Sequence, residues 1–222
     1  MIEALRRSAA HVLVADIDDP QLDTEARHHL ARVLRLRRDQ PVTVTDGTGH
    51  WRSTAFTGDS VSVAGEVQTV ERPDPVLTIA VAPPKGDRME WLVAKCTEVG
   101  IDRIVLLEAE HSVVRWTGER LERQLTRLRR IAAEASMQSR RVWFPEITGP
   151  QPALEVLPEV AVSEPGGRPV QRSDTGIAVG PEGGWSPKEL EVAASTVALG
   201  GNVLRVETAA IAAAVLMVSA RR

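Results

Sequence analysis

The sequence predicts an α/β protein of 222 residues in which a small N-terminal β-barrel precedes a larger α/β domain. Short apolar stretches separated by turn signals fill the first part, a pattern typical of small barrels. Strand-like and helix-like stretches alternate in the second part, as in a mostly parallel sheet. Between them, Glu71-Arg-Pro-Asp-Pro75 has two prolines, which disfavour helix and lack ladder donors. We therefore expect a barrel over residues 1–70, a linker over 71–75 and an α/β domain over 76–222.

The first part is expected to consist of short strands joined by glycine turns. His11-Val-Leu-Val14 and Val42-Thr-Val44 are apolar strand candidates, and Asp46-Gly-Thr-Gly49 is a strong turn signal. A helix is predicted at Thr24–Leu34 from its apolar spacing. The return strands are expected at Thr54–Phe56 and Ser60–Val67.

The second part is expected to alternate strands with helices. The strands are predicted at Val76–Ala82, Ile104–Leu107, Val160–Val162 and Ile177–Val179. The helices are predicted at Met89–Val99 with Gly100 as C-cap, at Leu121–Met137, after the capping box of Ser186, Pro187 and Glu189, and at Thr208–Ala220 with Thr208 as N-cap.

Charge is distributed unevenly along the chain. The net charge of −3 does not by itself indicate nucleic-acid binding. Two tracts are nevertheless rich in arginine. The first contains Arg27, Arg32, Arg35, Arg37 and Arg38, and the second contains Arg115, Arg120, Arg123, Arg127, Arg129, Arg130, Arg140 and Arg141. These tracts indicate either local contacts with an anionic partner or the solvated faces of helices.

The single cysteine, Cys96, indicates a reducing, cytosolic setting and predicts a small buried hydrophobe within a helix. Arg6-Arg7 and the apolar run after them resemble a signal peptide only faintly. His11 interrupts the run, and aspartates occupy the cleavage region, so we expect no targeting segment. The run 209–220 is too short to span a bilayer.

Three loops are candidates for chemistry. Gly180-Pro-Glu-Gly-Gly184 joins a strand to a helix, and is either a ligand loop or a plain tight turn; it lacks the dinucleotide and P-loop spacings. Arg205 and Glu207 precede the last helix and form either an ion pair or ligand contacts. Pro84-Lys-Gly-Asp-Arg-Met89 leads into a helix, with Asp87 as its possible cap.

Together these motifs resemble one known family. Pro84-Lys-Gly-Asp-Arg-Met-Glu-Trp91, Lys95-Cys-Thr-Glu-Val-Gly100, Ser112-Val-Val-Arg115, Glu134-Ala-Ser-Met-Gln-Ser139, Gly180-Pro-Glu-Gly-Gly184 and Leu204-Arg-Val-Glu-Thr-Ala209 have that family's order and spacing. The N-terminal His29-Leu-Ala-Arg-Val-Leu-Arg35 is similar to it as well. The chain looks like the RsmE family of the SPOUT superfamily, whose members methylate N3 of a uridine in 16S ribosomal RNA.

The resemblance implies a PUA-like RNA-binding barrel and a SPOUT α/β domain with a C-terminal trefoil knot. It also implies S-adenosylmethionine as cofactor, a homodimer, the small ribosomal subunit as partner, and neither a metal nor a membrane. The implied cofactor-binding residues are Val162, Ser163, Glu164, Val179, Gly180, Pro181, Glu182, Gly183, Gly184, Leu199, Gly200, Val203, Leu204, Arg205, Thr208 and Ala209.

Removal of the N3 proton puts negative charge on the uracil oxygens, which a positioned arginine can stabilise. Arg205 is the candidate for this role, with Glu207 orienting it. Glu182 either contacts the base, assists proton removal or only fixes its own loop. RNA contacts are expected from Arg27, Arg32, Arg35, Lys85, Arg88, Arg115, Arg127, Arg130, Gln138 and Arg140.

The chain departs from the family at three places. The family has an aromatic-rich Arg-Phe-Phe-Val where this chain has His11-Val-Leu-Val14, glycine at the position of Arg140, and usually arginine at that of Asn202. The alternatives to N3-uridine methylation are a SPOUT enzyme acting on another RNA or on a ribose 2′-oxygen, a non-catalytic RNA-binding assembly factor, and a nucleotide-phosphate enzyme. The absent P-loop lysine disfavours the last.

Overall fold

The structure, a computed structural model, describes residues 2–221 and divides into two compact units. The first unit comprises the described residues up to Arg72 together with Ala133–Phe144, and the second comprises the rest. Helical spacing continues through the stretch where the chain re-enters the first unit. The sequence pattern therefore contained no signal for this crossing.

The first unit contains a five-stranded sheet in the order β1-β2-β3-β4, with β5 paired to β3. Its β1 and β2 are parallel, and the other pairs are antiparallel. The elements are α1 (Glu3–Arg7), β1 (Ala10–Leu13), α2 (Thr24–His28), β2 (Pro41–Thr45), β3 (His50–Phe56), β4 (Val61–Val63) and β5 (Gln68–Thr69). The core of this unit is formed mainly by Ala10, Val12, Leu22, Leu30, Val42 and Phe56.

Two elements of this unit differ from prediction. The predicted helix Thr24–Leu34 changes after α2 into a π-helical turn, His29–Val33, where the Leu34 N–H donates to the carbonyl of His29. The wider turn buries Leu30 and leaves Val33 exposed. The predicted strand Ser60–Val67 is shorter, since β4 ends at Val63; beyond it, the Arg52 guanidinium donates to the Gly65 carbonyl at 2.8 Å.

The second unit is built on a six-stranded, entirely parallel sheet in the order β11-β9-β10-β6-β7-β8. Its strands are β6 (Thr78–Val81), β7 (Arg103–Glu108), β8 (Glu146–Pro152), β9 (Ala161–Pro169), β10 (Gly176–Val179) and β11 (Ser195–Ala198). Its helices are α3 (Arg88–Val99), α4 (Gly118–Gln138, whose last turns belong to the first unit), α5 (Ala153–Val156), α6 (Pro187–Val192) and α7 (Val206–Arg221). A 3₁₀ turn, Leu157–Glu159, follows α5.

Apolar layers cover both faces of this sheet. One cluster joins the strands to α3, α4 and α7, and includes Ile79, Leu92, Leu128 and Ala213. The other lies toward α5 and α6 and includes Val105, Ala178 and Trp185. Burial on both faces is the usual reason that parallel strands are continuously apolar. Strands β8 and β11 were not predicted, since polar residues and prolines hide the pattern there.

Of the helix caps predicted from the sequence, two are confirmed and one is wrong. Gly100 ends α3 in the left-handed conformation at φ 119°, and Ser186 and Glu189 form the predicted capping box of α6. Thr208 is not an N-cap, because the Ala209 N–H already donates to the carbonyl of Arg205 and α7 begins at Val206. Within the described residues, no helix is long and apolar enough to cross a membrane.

Candidate active site

Three neighbouring strands of the parallel sheet lead into one cavity. Strands β11, β9 and β10 are adjacent in the sheet. Residues in the middle of β9, residues at or after the carboxyl ends of β10 and β11, and those leading into α7 enclose about 460 Å³. Loops at this edge of a parallel sheet form the usual ligand site, and the volume suits a small organic molecule.

Most of the residues predicted to bind a cofactor line this cavity. They are Ser163, Glu164, Val179, Gly180, Pro181, Glu182, Gly184, Leu199, Gly200, Val203, Leu204, Arg205 and Ala209. Three predicted residues are not in the wall. Val162 is buried in β9, Gly183 lies against His111, and Thr208 is exposed on α7. The wall also contains Pro165, Trp185, Asn202 and Val206. Sequence reasoning missed Trp185, which no pattern marked; Val206 lies within the Leu204–Ala209 motif, although it was not named individually as a cofactor-binding residue.

Close packing and a tight turn shape the glycine loop Gly180–Gly184. A Cβ on Gly180 would lie 2.8 Å from the Trp185 ring, so a larger residue would push the ring away. Gly184 has φ 74°, which favours glycine, and its N–H donates to the Pro181 carbonyl at 2.9 Å. His111 Nδ1 lies 3.1 Å from the Gly184 carbonyl and donates to it, since a carbonyl can only accept. The loop is therefore fixed before α6 begins.

Arg88, Glu182 and Glu207 form a charged triad beside the cavity. Arg88 is the first residue of α3; its Nη1 lies 3.9 Å from Glu182 Oε1, and its Nε lies 3.8 Å from Glu207 Oε1. Glu207 is only 8% exposed, and its Oε2 has no hydrogen-bond partner within residues 2–221. Because Glu182 also lines the cavity, the triad borders it. Among the described residues, Glu207 pairs with Arg88 and not with Arg205, so no contact supports the expected orientation of Arg205 by Glu207.

An ion pair braces the β9 wall of the cavity. Arg168 donates to both carboxylate oxygens of Asp174, at 2.7 and 2.6 Å, and to the Ser195 hydroxyl at 2.9 Å. These hydrogen bonds from Arg168 lower the pKa of Asp174, although burial opposes the shift. The pair closes the loop between β9 and β10, directly after the residues that line the cavity.

The predicted RNA-binding residues are mostly exposed. In the second unit, Lys85, Arg88, Arg115, Arg127 and Arg130 are exposed, and Arg127 forms an ion pair with Glu90 at 2.8 Å. The first unit exposes Arg27, Arg32, Arg35 and Gln138.

Arg140, also predicted to contact RNA, uses its guanidinium within the first unit. It donates to the carbonyl oxygens of Ser8 at 3.0 Å and Met137 at 3.2 Å, and burial lowers its pKa. Its φ is 62°, in the left-handed region. This backbone conformation favours glycine, the residue that the resemblance led us to expect at this position.

His11, another departure from that family, is buried in the first unit. Its Nε2 donates to the Arg141 carbonyl at 3.0 Å, and its Nδ1 therefore accepts from the Thr43 hydroxyl at 2.8 Å. Burial is the largest cause that lowers the pKa of His11 to about 4, and the charge of Arg140 adds to it. The residue is therefore a neutral packing element at neutral pH.

Two further features of the second unit concern cysteine and metal chemistry. Cys96 is buried in α3 as predicted, and burial raises the pKa of its thiol to about 12. In the part of the chain that the structure describes, no group of three His, Cys, Asp or Glu residues is arranged to hold a metal ion.

Comparison with protein families identifies the class to which this fold and cavity belong. The model of an RNA methyltransferase domain matches residues 71–218, and that of an RNA methyltransferase PUA domain matches residues 22–60.

Individual relatives are more specific. The chain is 32% identical to ribosomal RNA small subunit methyltransferase E of Synechocystis sp., over 85% of this chain and 69% of that protein. It is 31% identical to the protein of the same name in Mycobacterium bovis, over 86% and 83% of the two chains. The chain therefore belongs to the ribosomal RNA small subunit methyltransferase E family. A methyltransferase from Legionella pneumophila, solved with bound SAM, superposes with a TM-score of 0.79 at 27% identity, over 96% of this chain and 98% of that chain.

Proposed function

We propose that this protein transfers a methyl group from S-adenosylmethionine to N3 of a uridine in 16S ribosomal RNA. The observation that carries the proposal is the cavity beside three adjacent strands, which gathers the glycine loop, Arg205 and the segment after β11. The relatives named small subunit methyltransferase E support the ribosomal RNA substrate. The Legionella pneumophila structure with SAM supports the methyl donor.

The wall of the cavity suits S-adenosylmethionine. The glycine loop offers backbone amides and carbonyls for the adenine edge, and Leu199, Val203 and Leu204 offer apolar contacts for its faces. The Trp185 ring packs against Gly180 and adds an aromatic surface to the wall. When bound, S-adenosylmethionine supplies an electrophilic methyl group.

The remaining chemistry belongs to the protein. Uridine N3 must lose its proton as the new nitrogen–carbon bond forms, and the carboxylate of Glu182 at the cavity wall can accept that proton. The charge left on the ring spreads to the two carbonyl oxygens, where Arg205 can stabilise it. Holding the base in line with the methyl group should supply much of the rate.

The proposal also includes an RNA-binding domain, a knot, a homodimer and the cellular location of the reaction. The first unit would act as a PUA-like RNA-binding domain, with Arg27, Arg32 and Arg35 contacting phosphates. The second unit would carry the C-terminal trefoil knot that the family resemblance implies. Exposed Val215 and Leu216 on α7 support a homodimer. The reaction would take place in the cytoplasm, where small ribosomal subunits are found.

The test is methyl transfer from labelled S-adenosylmethionine to small ribosomal subunits that lack the modification, with mass spectrometry of the product nucleoside. We expect 3-methyluridine from the wild-type protein, a loss of at least about tenfold with Arg205→Gln, and no change with Arg103→Gln, which breaks an exposed ion pair elsewhere in the same unit. A 2′-O-methyl product would point to ribose methylation. Cofactor binding without transfer would indicate another RNA, and neither activity would favour a non-catalytic RNA-binding protein.

A further inference from the structure

The charged triad contains an arginine whose hydrogen-bonding capacity is unused. A guanidinium has five N–H donors. In the described part of the chain, the contacts of the Arg88 side chain are its two ion pairs, at 3.9 and 3.8 Å, which are too long for hydrogen bonds. Its side chain is 44% exposed. Arg88 therefore stands beside Glu182, a residue of the cavity wall, with donors available to a ligand.

Two other arginines, Arg52 and Arg168, use their hydrogen-bond donors within the fold. Arg52 donates to the carbonyl oxygens of Ile17, Asp18 and Gly65. Arg168 forms a short bidentate pair with Asp174. The donors of these side chains are consumed by the fold, whereas those of Arg88 are not.

Two carboxylates limit the orientation of the Arg88 guanidinium. Glu182 belongs to the glycine loop, and Glu207 belongs to the first turn of α7. These two elements also contribute residues to the wall of the cavity. Arg205 has no comparable carboxylate partner among the described residues. Arg88 is therefore held by two elements of the cavity, which suits a residue that must recognise one atom of a substrate.

The pyrimidine edge supplies the matching chemistry. Uracil has a carbonyl oxygen at C4, next to N3, where cytosine has an amino group. A guanidinium can only donate hydrogen bonds. It would bind the uracil oxygen and face another donor in cytosine. The uracil oxygen also gains negative charge when N3 loses its proton, so the same contact would strengthen as the reaction proceeds.

We propose that Arg88 is a catalytic residue that donates hydrogen bonds to the C4 carbonyl oxygen of the target uracil and thereby selects uracil over cytosine. Glu182 and Glu207 hold its guanidinium in place. The assignment rests on the proposed function, and it replaces a general phosphate contact of Arg88 with a specific contact to the base.

The experiment compares small ribosomal subunits that carry either uridine or cytidine at the target position, with 3-methyluridine and 3-methylcytidine measured by mass spectrometry. The proteins are the wild type, Arg88→Gln, Arg88→Lys and the control Arg103→Gln, whose ion pair with Glu146 lies away from the triad. Calorimetric titration with S-adenosylmethionine and a thermal melt accompany each protein.

We expect Arg88→Gln to lower kcat/KM for uridine about 10- to 100-fold, the usual effect of losing a hydrogen bond to a charged group. The ratio of uridine to cytidine methylation should fall with it, while cofactor affinity stays within about twofold of wild type. Arg88→Lys keeps the charge but loses the planar fork, so its ratio should be intermediate. Arg103→Gln should match the wild type in every measurement.

An active wild type whose uridine-to-cytidine ratio is unchanged by both Arg88 substitutions would overturn the assignment of Arg88 and leave the proposed function standing. An absence of 3-methyluridine from the wild type would overturn both proposals. If Arg88→Gln fails to fold, the ratio measured with Arg88→Lys decides the question.

Discussion

At the scale of single residues, His11 links folding to pH. Its pKa is about 4 in the folded protein, against 6.5 for an ordinary histidine, because burial disfavours the charged imidazole. Between pH 4 and pH 6.5, His11 is therefore protonated in the unfolded chain and neutral in the folded chain. The stability associated with a neutral His11 is complete above pH 6.5 and is lost as the pH falls toward 4. The full effect is about 3 kcal/mol.

We predict that His11→Gln removes this part of the pH dependence. As the pH falls from 7 to 4, the unfolding free energy of the wild type should decrease by about 2 to 3 kcal/mol more than that of the variant. Urea unfolding at several pH values measures it. His28→Gln, at an exposed position, should follow the wild-type curve. Parallel curves for wild type and His11→Gln would show that His11 is not the titrating group.

Arg140 combines a strained backbone with useful side-chain hydrogen bonds. Alanine at this position would remove the bonds to Ser8 and Met137 and keep the unfavourable φ of 62°. Glycine would remove the same bonds but relieve the strain. We predict that Arg140→Ala is less stable than Arg140→Gly by about 1 kcal/mol, which chemical denaturation would resolve. Equal stabilities would mean that the backbone is not strained there in solution.

At the scale of elements, the approach of β9 to β11 depends on one small residue. A Cβ on Gly167 would lie 2.6 Å from backbone atoms of Val197, and backbone cannot move aside as a flexible side chain can. Gly201 has open space around its Cβ position. The two glycines thus form a matched pair, one between two paired strands and one in a loop.

We predict that Gly167→Ala lowers the unfolding free energy by about 1 to 3 kcal/mol, the usual cost of overpacking. It should also weaken S-adenosylmethionine binding, because the residues just before it line the cavity. Gly201→Ala should change stability by no more than about 0.5 kcal/mol. Unfolding curves and calorimetric titration test both effects. A fully stable Gly167→Ala variant would contradict the close approach.

At the scale of the whole molecule, an acidic protein is proposed to bind a polyanion. The net charge is −3, so binding must rely on the local arginine tracts. Each basic side chain that binds a phosphate releases counterions, and the affinity then falls with salt.

We predict that replacing Arg27, Arg32 and Arg35 together by glutamine reduces the slope of log affinity against log salt by roughly 2 units, since each neutralised phosphate contributes about 0.7 to 0.9 to that slope. Filter binding or fluorescence anisotropy with small-subunit RNA at several salt concentrations measures the slope. Arg103→Gln should leave it unchanged. An unchanged slope in the triple variant would remove the first unit's tract from the RNA interface.

Local chemistry made several features predictable from the sequence. The C-cap at Gly100 and the capping box at Ser186 depend on residues a few positions apart, so both could be identified without a fold. Apolar runs identified strands β6, β7 and β10 for the same reason. The glycine loop and the segment before α7 were recognisable as motifs, and their order along the chain indicated the family.

Only the tertiary structure decided which of these pieces meet. The order β11-β9-β10 brings three strands to one cavity. Long-range packing places Arg88, at the start of α3, beside Glu182 and Glu207, which are far away in the chain. The same holds for His11 and Arg141, which come together because Ala133–Phe144 rejoins the first unit. Periodicity reports which face of an element is buried, but it contains no information about which elements become neighbours. The sequence by itself therefore determined the local elements and the family, whereas sheet order and long-range packing decided the partners of each charged side chain.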